Sequence, residues 1–207
     1  ANKYISTTVF PDGNPIGECI QVLLKNGYLN IELGSTHPYE ENVEDSLNQF
    51  EANYLVHNYF PTPKSNLIVN IIADDPAIRA QSLAHSKERI EFSKKINSDL
   101  YTFHSGYLSQ PLSINTTNDN WDFVYDNNVN KPTAYQEGFN MLLDSVVQLA
   151  EFAKSIGQNI AIESSGSYKK KDHLIMQRPE EFRELFSKID NEYLGVNLNL
   201  GHLNLAS

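Results

Sequence analysis

Four short apolar runs in this chain each end on a polar residue able to hold a metal or move a proton. His57 follows Tyr54-Leu55-Val56, and His104 follows Tyr101-Thr102-Phe103. Glu163 follows Ile160-Ala161-Ile162, and Asn199 and His202 follow Val196-Asn197-Leu198. Imidazoles and a carboxylate together suit a divalent ion of intermediate hardness, such as zinc, manganese or cobalt. A glutamate in such a place also suits general-base work. One histidine at the end of a strand is more often a hydrogen-bonded structural residue. Three titratable groups on three strand ends, with Asn-x-x-His on a fourth, favour a common site. Tyr59 and Tyr107 lie two and three residues beyond the histidines, placed to line a pocket for a sugar or another small polar ligand. Nucleophile chemistry finds less support. Ser164, Ser165 and Ser167 sit near Glu163 and Ser105 adjoins His104, but none stands in a G-x-S-x-G elbow.

The elements that must carry these residues alternate. Tyr4–Val9, Tyr28–Leu33, Tyr54–Tyr59, Leu100–His104, Asn159–Ile162 and Leu194–Leu198 read as strands, with Leu67–Ile72 as a further short one. Helical spacing of apolar residues predicts helices from Pro15 to a left-handed stop at Gly27, over Glu41–Asn53, and over Asp75–Lys95. Two more follow, Tyr135–Ser155 closed by Gly157, and Pro179–Ile189. Residues 109–132 are rich in Asn, Asp, Ser, Thr and Pro and read as one long loop. Strand and helix in alternation imply parallel strands with helical crossovers, hence a doubly wound open sheet or a (β/α)8 barrel. Neither GxGxxG nor a Walker motif is present, which removes the common nucleotide signatures of the open sheet. In a barrel, all C-terminal strand ends share one face, and that face carries the active site.

The length of 207 residues suffices for one hydrophobic core, and no composition shift divides it. Formal charge is −10, with 16 Lys and Arg against 26 Asp and Glu, which opposes nucleic acid and anionic membranes. The one dense basic patch is Lys169, Lys170 and Lys171. No apolar run approaches a membrane span, and the N-terminal residues lack a signal-peptide pattern. A single cysteine, Cys19, excludes an internal disulfide and a cysteine-rich zinc site. A cytoplasmic location is the simplest expectation.

At four places the chain resembles the xylose-isomerase-like TIM barrels, which include sugar phosphate isomerases and epimerases and the zinc-dependent endonuclease IV group. Val56-His57-Asn58-Tyr59 is similar to the strand-three histidine segment, and Thr102-Phe103-His104-Ser105-Gly106 to the strand-four segment. Ile160-Ala161-Ile162-Glu163 is similar to the strand-five glutamate segment. The run from Leu194 to His202 resembles the strand-six Leu-Asp-x-x-His segment, with Asn199 where the family has a metal-binding aspartate. The resemblance implies that Glu163 is a metal-binding carboxylate able to join in proton transfer, and that His202 contacts substrate or, in the endonuclease branch, binds metal. It implies metal binding at His57 and His104 in the endonuclease branch and substrate orientation there in many isomerases. Asn199 keeps a carbonyl oxygen for the metal but loses the charge.

The expected architecture is thus a single α/β domain over residues 1–207, a (β/α)8 TIM barrel with about six of its strands present and its C-terminal strands missing. The expected function is a sugar or sugar-phosphate isomerase or epimerase. It would act on a small polyol by metal-assisted proton or hydride transfer, with a divalent ion (Mn, Zn, Co or Mg) as cofactor. Glu163 and His202 are the expected catalytic pair. His57, Tyr59, His104, Tyr107 and Asn199 are the expected substrate contacts, and Glu163 and Asn199 the metal ligands. The partner is a small sugar, without nucleic acid or membrane, in a chain that can form homo-oligomers. The alternatives are a metal-dependent endonuclease of abasic DNA and a non-catalytic carbohydrate- or protein-binding barrel.

Overall fold

The computed structural model describes residues 2–65, 67–115, 122–124, 132–166 and 171–206. In chain order, β1 (Ile5–Ser6) leads into α1 (Ile16–Lys25), β2 (Asn30–Leu33), α2 (Val43–Leu47) and β3 (Asn53–His57). Then come α3 (Pro76–Lys95), β4 (Tyr101–His104), β5 (Ser113–Asn115), β6 (Asp122–Val124) and α4 (Tyr135–Ile156). The chain continues through β7 (Ile160–Glu163), α5 (Pro179–Lys188), β8 (Leu194–Asn197) and α6 (Leu200–Ala206). Six strands form one parallel sheet in the order β1-β2-β3-β4-β7-β8, and β5 pairs antiparallel with β6 apart from it. This is the barrel wall expected from the sequence, with six of its strands.

Alternation along each strand separates two faces. Ile31, Leu33, Tyr54, Val56, Tyr101, Phe103, Ile160, Ile162 and Leu194 are all buried, and they form one core with the apolar stripes of the helices. Ile16, Ile20 and Leu23 come from α1, Ile90 from α3, Leu142, Val146 and Leu149 from α4, and Leu185 from α5. The opposite parity carries polar and small residues. His57 pairs in register with Thr102, Thr102 with Ala161, and Ala161 with Gly195. One row further toward the C-terminal ends, His104 pairs with Glu163 and Glu163 with Asn197. The same alternation that seats the core thus stacks the chemically active side chains on the concave face.

Helix boundaries follow local chemistry. The Asp75 side chain caps α3 by accepting the Ala77 N–H at 2.8 Å, and Pro76 fills the first turn. Gly27 and Gly157 sit at φ +84° and +67° just past α1 and α4, as their place in the sequence predicts. The buried Glu181 carboxylate accepts the N–H groups of Met176, Gln177 and Arg178 at 2.7–3.0 Å, which fixes the start of α5 and the loop before it.

The structure corrects five expectations. The strand expected over Tyr4–Val9 is only β1, because Ser6 caps a 3-10 turn over Thr7–Val9 by accepting the Thr8 N–H. The helix expected over Glu41–Asn53 is only α2, five residues long, because Asn42 enters it from a left-handed conformation and Asn48 ends it. The strand expected at Leu67–Ile72 does not form. β3 and β4 bond directly to each other and leave no place for it between them. Instead Val69, Ile71 and Ile72 are buried, and the wholly buried Asn70 side chain accepts the N–H groups of Ile72 and Tyr107 and donates to the Tyr107 carbonyl. The segment expected as one loop over 109–132 contains β5 and β6. A short helix, α6, follows β8 where the sequence reading stops at a strand. Lys169 and Lys170, and the side chain of Lys171, lie outside the described residues.

Two packing features make predictions. His85 on α3 is buried, its ring 5.8 Å from that of Tyr59 and one turn before Arg89. Burial, with the Arg89 charge adding to it, pushes its pKa down to about 4 from 6.5. The unfolded chain takes up this proton near pH 6.5, while the fold resists it until about 4. Stability is therefore full above about pH 6.5 and falls as pH drops toward 4, by up to roughly 1.4 kcal/mol per pH unit for this group. Urea midpoints of His85→Gln should depend less on pH across that window than those of wild type. Parallel curves would contradict this.

The second feature is Gly166, in the loop after β7. A Cβ there would lie 1.8 Å from the His202 carbonyl oxygen, a backbone atom that cannot rotate away. Gly166→Ala should cost about 1–3 kcal/mol. Gly195→Ala, whose Cβ would meet nothing nearer than 3.8 Å, is the control and should stay within about 1 kcal/mol of wild type. Equal losses in the two variants would remove the contact from the account.

Candidate active site and metal centre

Glu163, the last residue of β7, is 2% exposed and lies at the centre of the polar face. His57 at the end of β3 brings Nδ1 to 3.6 Å from Glu163 Oε2. His104 at the end of β4 brings Nε2 to 3.7 Å from Oε1. His202, in the first turn of α6, brings Nδ1 to 3.3 Å from the same oxygen. The three rings also meet one another, with centroids 5.3 Å apart for His57 and His104 and 6.0 Å for His104 and His202. Four separate strand ends thus converge on one mouth, as the sequence implies.

The direct hydrogen bonds to the carboxylate come from amides. Asn197 Nδ2 donates to Oε2 and Asn199 Nδ2 to Oε1, each at 2.9 Å. The imidazoles are held by other groups. His57 Nδ1 is 2.7 Å from the Thr102 hydroxyl, its register neighbour on β4. His202 Nδ1 donates to the Ser164 carbonyl at 2.8 Å, which leaves Nε2 as the acceptor nitrogen of the neutral ring. His104 Nε2 is buried without a hydrogen-bond partner.

Burial alone would raise the Glu163 pKa. His104, His57, the Asn199 amide and His202 outweigh it, so the carboxyl is held below its ordinary value and is ionised near neutrality. Burial pushes His104 the other way, down to about 4; Glu163 opposes that shift, and His57 and His202 reinforce it. The centre therefore presents a carboxylate beside a neutral imidazole.

Ligand atoms of His57, His104 and Glu163 lie within 4.8 Å of one another. Two imidazole nitrogens and a carboxylate oxygen form a donor set for a divalent ion. The lone, buried Nε2 of His104 fits such a role, since a buried polar atom without a partner is costly. The chain's residues fit a cation here.

Other expected site residues are placed differently. Asn199 is not arranged as a ligand. It turns its amide nitrogen to Glu163 and spends its carbonyl oxygen on the His202 N–H at 3.1 Å, the natural use of an Asn at the entry to a helix. Tyr59 does not join the cluster: its hydroxyl accepts the Val69 N–H, its ring packs toward His85, and burial pushes its pKa up to about 12. Tyr107, on the loop after β4, is tied by its N–H and carbonyl to Asn70 on the loop after β3.

Thr102, Ser164 and Asn197 are the members that sequence reasoning missed. The signal for Asn197 is its place at the C-terminal end of the strand expected over Leu194–Leu198, at the same sheet end as the other polar tips. His37 shows the contrast. Its Nδ1 lies 2.8 Å from the Asn14 carbonyl and its Nε2 2.7 Å from the Thr7 hydroxyl, so both nitrogens serve the fold.

Comparison with known proteins agrees with this fold. No curated protein matches the sequence. Among solved structures, a D-tagatose 3-epimerase-like protein superposes with a TM-score of 0.68 at 18% identity, over 97% of this chain and 66% of that one. The D-psicose 3-epimerase of Clostridium cellulolyticum H10, solved with D-tagatose, gives 0.70 at 14% identity, over 98% of this chain and 64% of that one. A D-allulose 3-epimerase from Methylomonas sp. in complex with D-allulose gives 0.68 at 16%, over 99% and 64%. At these identities the likeness is one of fold. The chain spans 64–66% of the length of these three structures. No described helix is long and apolar enough to cross a membrane. Residues 13–207 match the family described as xylose isomerase-like TIM barrel, and the chain belongs to that family.

Proposed function

We propose that the protein is a metal-assisted isomerase or epimerase of a small sugar. The observation that carries this reading is the meeting of His57, His104 and His202 around the buried, ionised Glu163 at the C-terminal mouth of the sheet. Similarity to barrels named as ketose 3-epimerases supports the substrate class. In this reading the site belongs to one barrel domain, and the free edges of β1 and β8 take the further strands of the closed wall. The formal charge of −10 favours a small polar substrate over nucleic acid. A cytoplasmic, self-associating protein is part of the proposal.

His57, His104 and Glu163 would hold the divalent ion, and manganese, cobalt and zinc suit the donor set. Bound there, the ion would polarise neighbouring carbonyl and hydroxyl oxygens of the sugar. The chain's own groups do the rest. Glu163, kept ionised, is the acceptor for a proton removed beside the carbonyl. The Nε2 lone pair of His202, freed by the Nδ1 bond to Ser164, accepts a hydrogen bond from a substrate hydroxyl. Thr102 holds His57 in one orientation, so its ring does not have to be ordered when substrate arrives.

The test is NMR of free ketoses incubated with the protein and manganese or cobalt in deuterium oxide. Proton transfer predicts deuterium at the carbon that changes configuration, and Glu163→Gln should lower the rate by about 100-fold or more with the fold retained. Turnover unchanged in Glu163→Gln, or turnover without deuterium uptake, would overturn the proposed role of Glu163.

A further inference from the structure

We infer that Asn197 and Asn199 form an amide clamp that balances and orients the Glu163 carboxylate with protein groups alone, so that the divalent ion is an exchangeable guest of a site that stands without it. The inference rests on the metal reading for the guest and on the hydrogen bonds for the clamp. A carboxylate that is 2% exposed needs partners for its charge. The three histidines stand 3.3–3.7 Å off, and the two of them that approach through Nδ1 make their short contacts elsewhere, to Thr102 and Ser164. The two amides make the 2.9 Å bonds, one to each oxygen. A carboxylate offers about four lone-pair sites, so two remain for a cation on the side of His57 and His104.

Each amide is placed by the fold. Asn197 stands opposite Glu163 in the β7–β8 register, so strand pairing delivers its side chain to the carboxylate. Asn199 is fixed at three atoms. Its Nδ2 is on Glu163, its Oδ1 on the His202 N–H at 3.1 Å, and its own N–H on the Ser164 hydroxyl at 2.9 Å. An aspartate at either position would set a second carboxylate within hydrogen-bond reach of the first. Two such groups do not both stay charged unless a cation lies between them. The amide carries a similar shape, donates instead of repelling, and frees the folded site from that need.

The experiment is thermal unfolding of the protein and its variants in a chelator and in cobalt chloride, with calorimetric titration of cobalt. In chelator, Asn199→Asp should melt about 5 °C below wild type. It should then gain more from cobalt than wild type does and bind it about tenfold more tightly. The double variant Glu163→Gln/Asn199→Asp removes one of the two charges and should recover most of the loss in chelator. Should Asn199→Asp fail to fold, Asn197→Asp carries the same test, since the Asn197 side-chain amide bonds the other carboxylate oxygen. Equal melting of wild type and Asn199→Asp in chelator would overturn the clamp, and so would a double variant no more stable than the single one. If cobalt leaves every variant unchanged, the metal reading falls, while the chelator arm still decides whether the amides balance Glu163.

Discussion

A carboxylate shut away from water must be met by other charges or donors, and Glu163 is that carboxylate here. Everything around it answers this requirement. Two amides supply hydrogen bonds, three imidazoles stand within 4 Å, and two of the imidazole poses are fixed by further hydrogen bonds. Thr102 steadies His57, the Ser164 carbonyl steadies His202, and burial keeps His104 neutral with a lone nitrogen facing the centre. Without the carboxylate, the convergence of so many polar side chains on one buried point would be hard to sustain.

Such a centre depends on strand register more than on any local motif. Parallel pairing sets His104, Glu163 and Asn197 side by side in one row, with His57 and Thr102 in the row beneath. The same parity places Tyr101, Phe103, Ile160 and Ile162 against the helices. A slip of one residue in any strand would turn an apolar side chain into the mouth and a histidine or glutamate into the core. The large apolar surface buried between sheet and helices therefore also enforces the site geometry.

Much of this was legible in the chain. Apolar runs ending in His57, His104 and Glu163 announce strands with polar tips, and the turn residues around α1, α3 and α4 mark where the crossovers lie. What stayed hidden depended on tertiary context. Leu67–Ile72 carries strand-forming residues, yet β3 and β4 leave no place for it between them, and Asn70 within it serves as a buried tie instead. The aromatic residues nearest the histidines looked like sugar contacts, but Tyr59 is drawn toward α3. Asn199 stands where the family places a ligand, and only its hydrogen bonds reveal that it donates to the carboxylate and caps α6.

The central claim is that His57, His104 and Glu163 together form a cradle for a divalent ion. X-ray absorption spectroscopy of the zinc-loaded protein examines it most directly. The account predicts a shell of nitrogen and oxygen at about 2.0–2.1 Å with the outer scattering of two imidazoles. His57→Ala and His104→Ala should each remove one ring from that signal. A bound ion whose spectrum contains no imidazole, or is unchanged by both substitutions, would contradict the account.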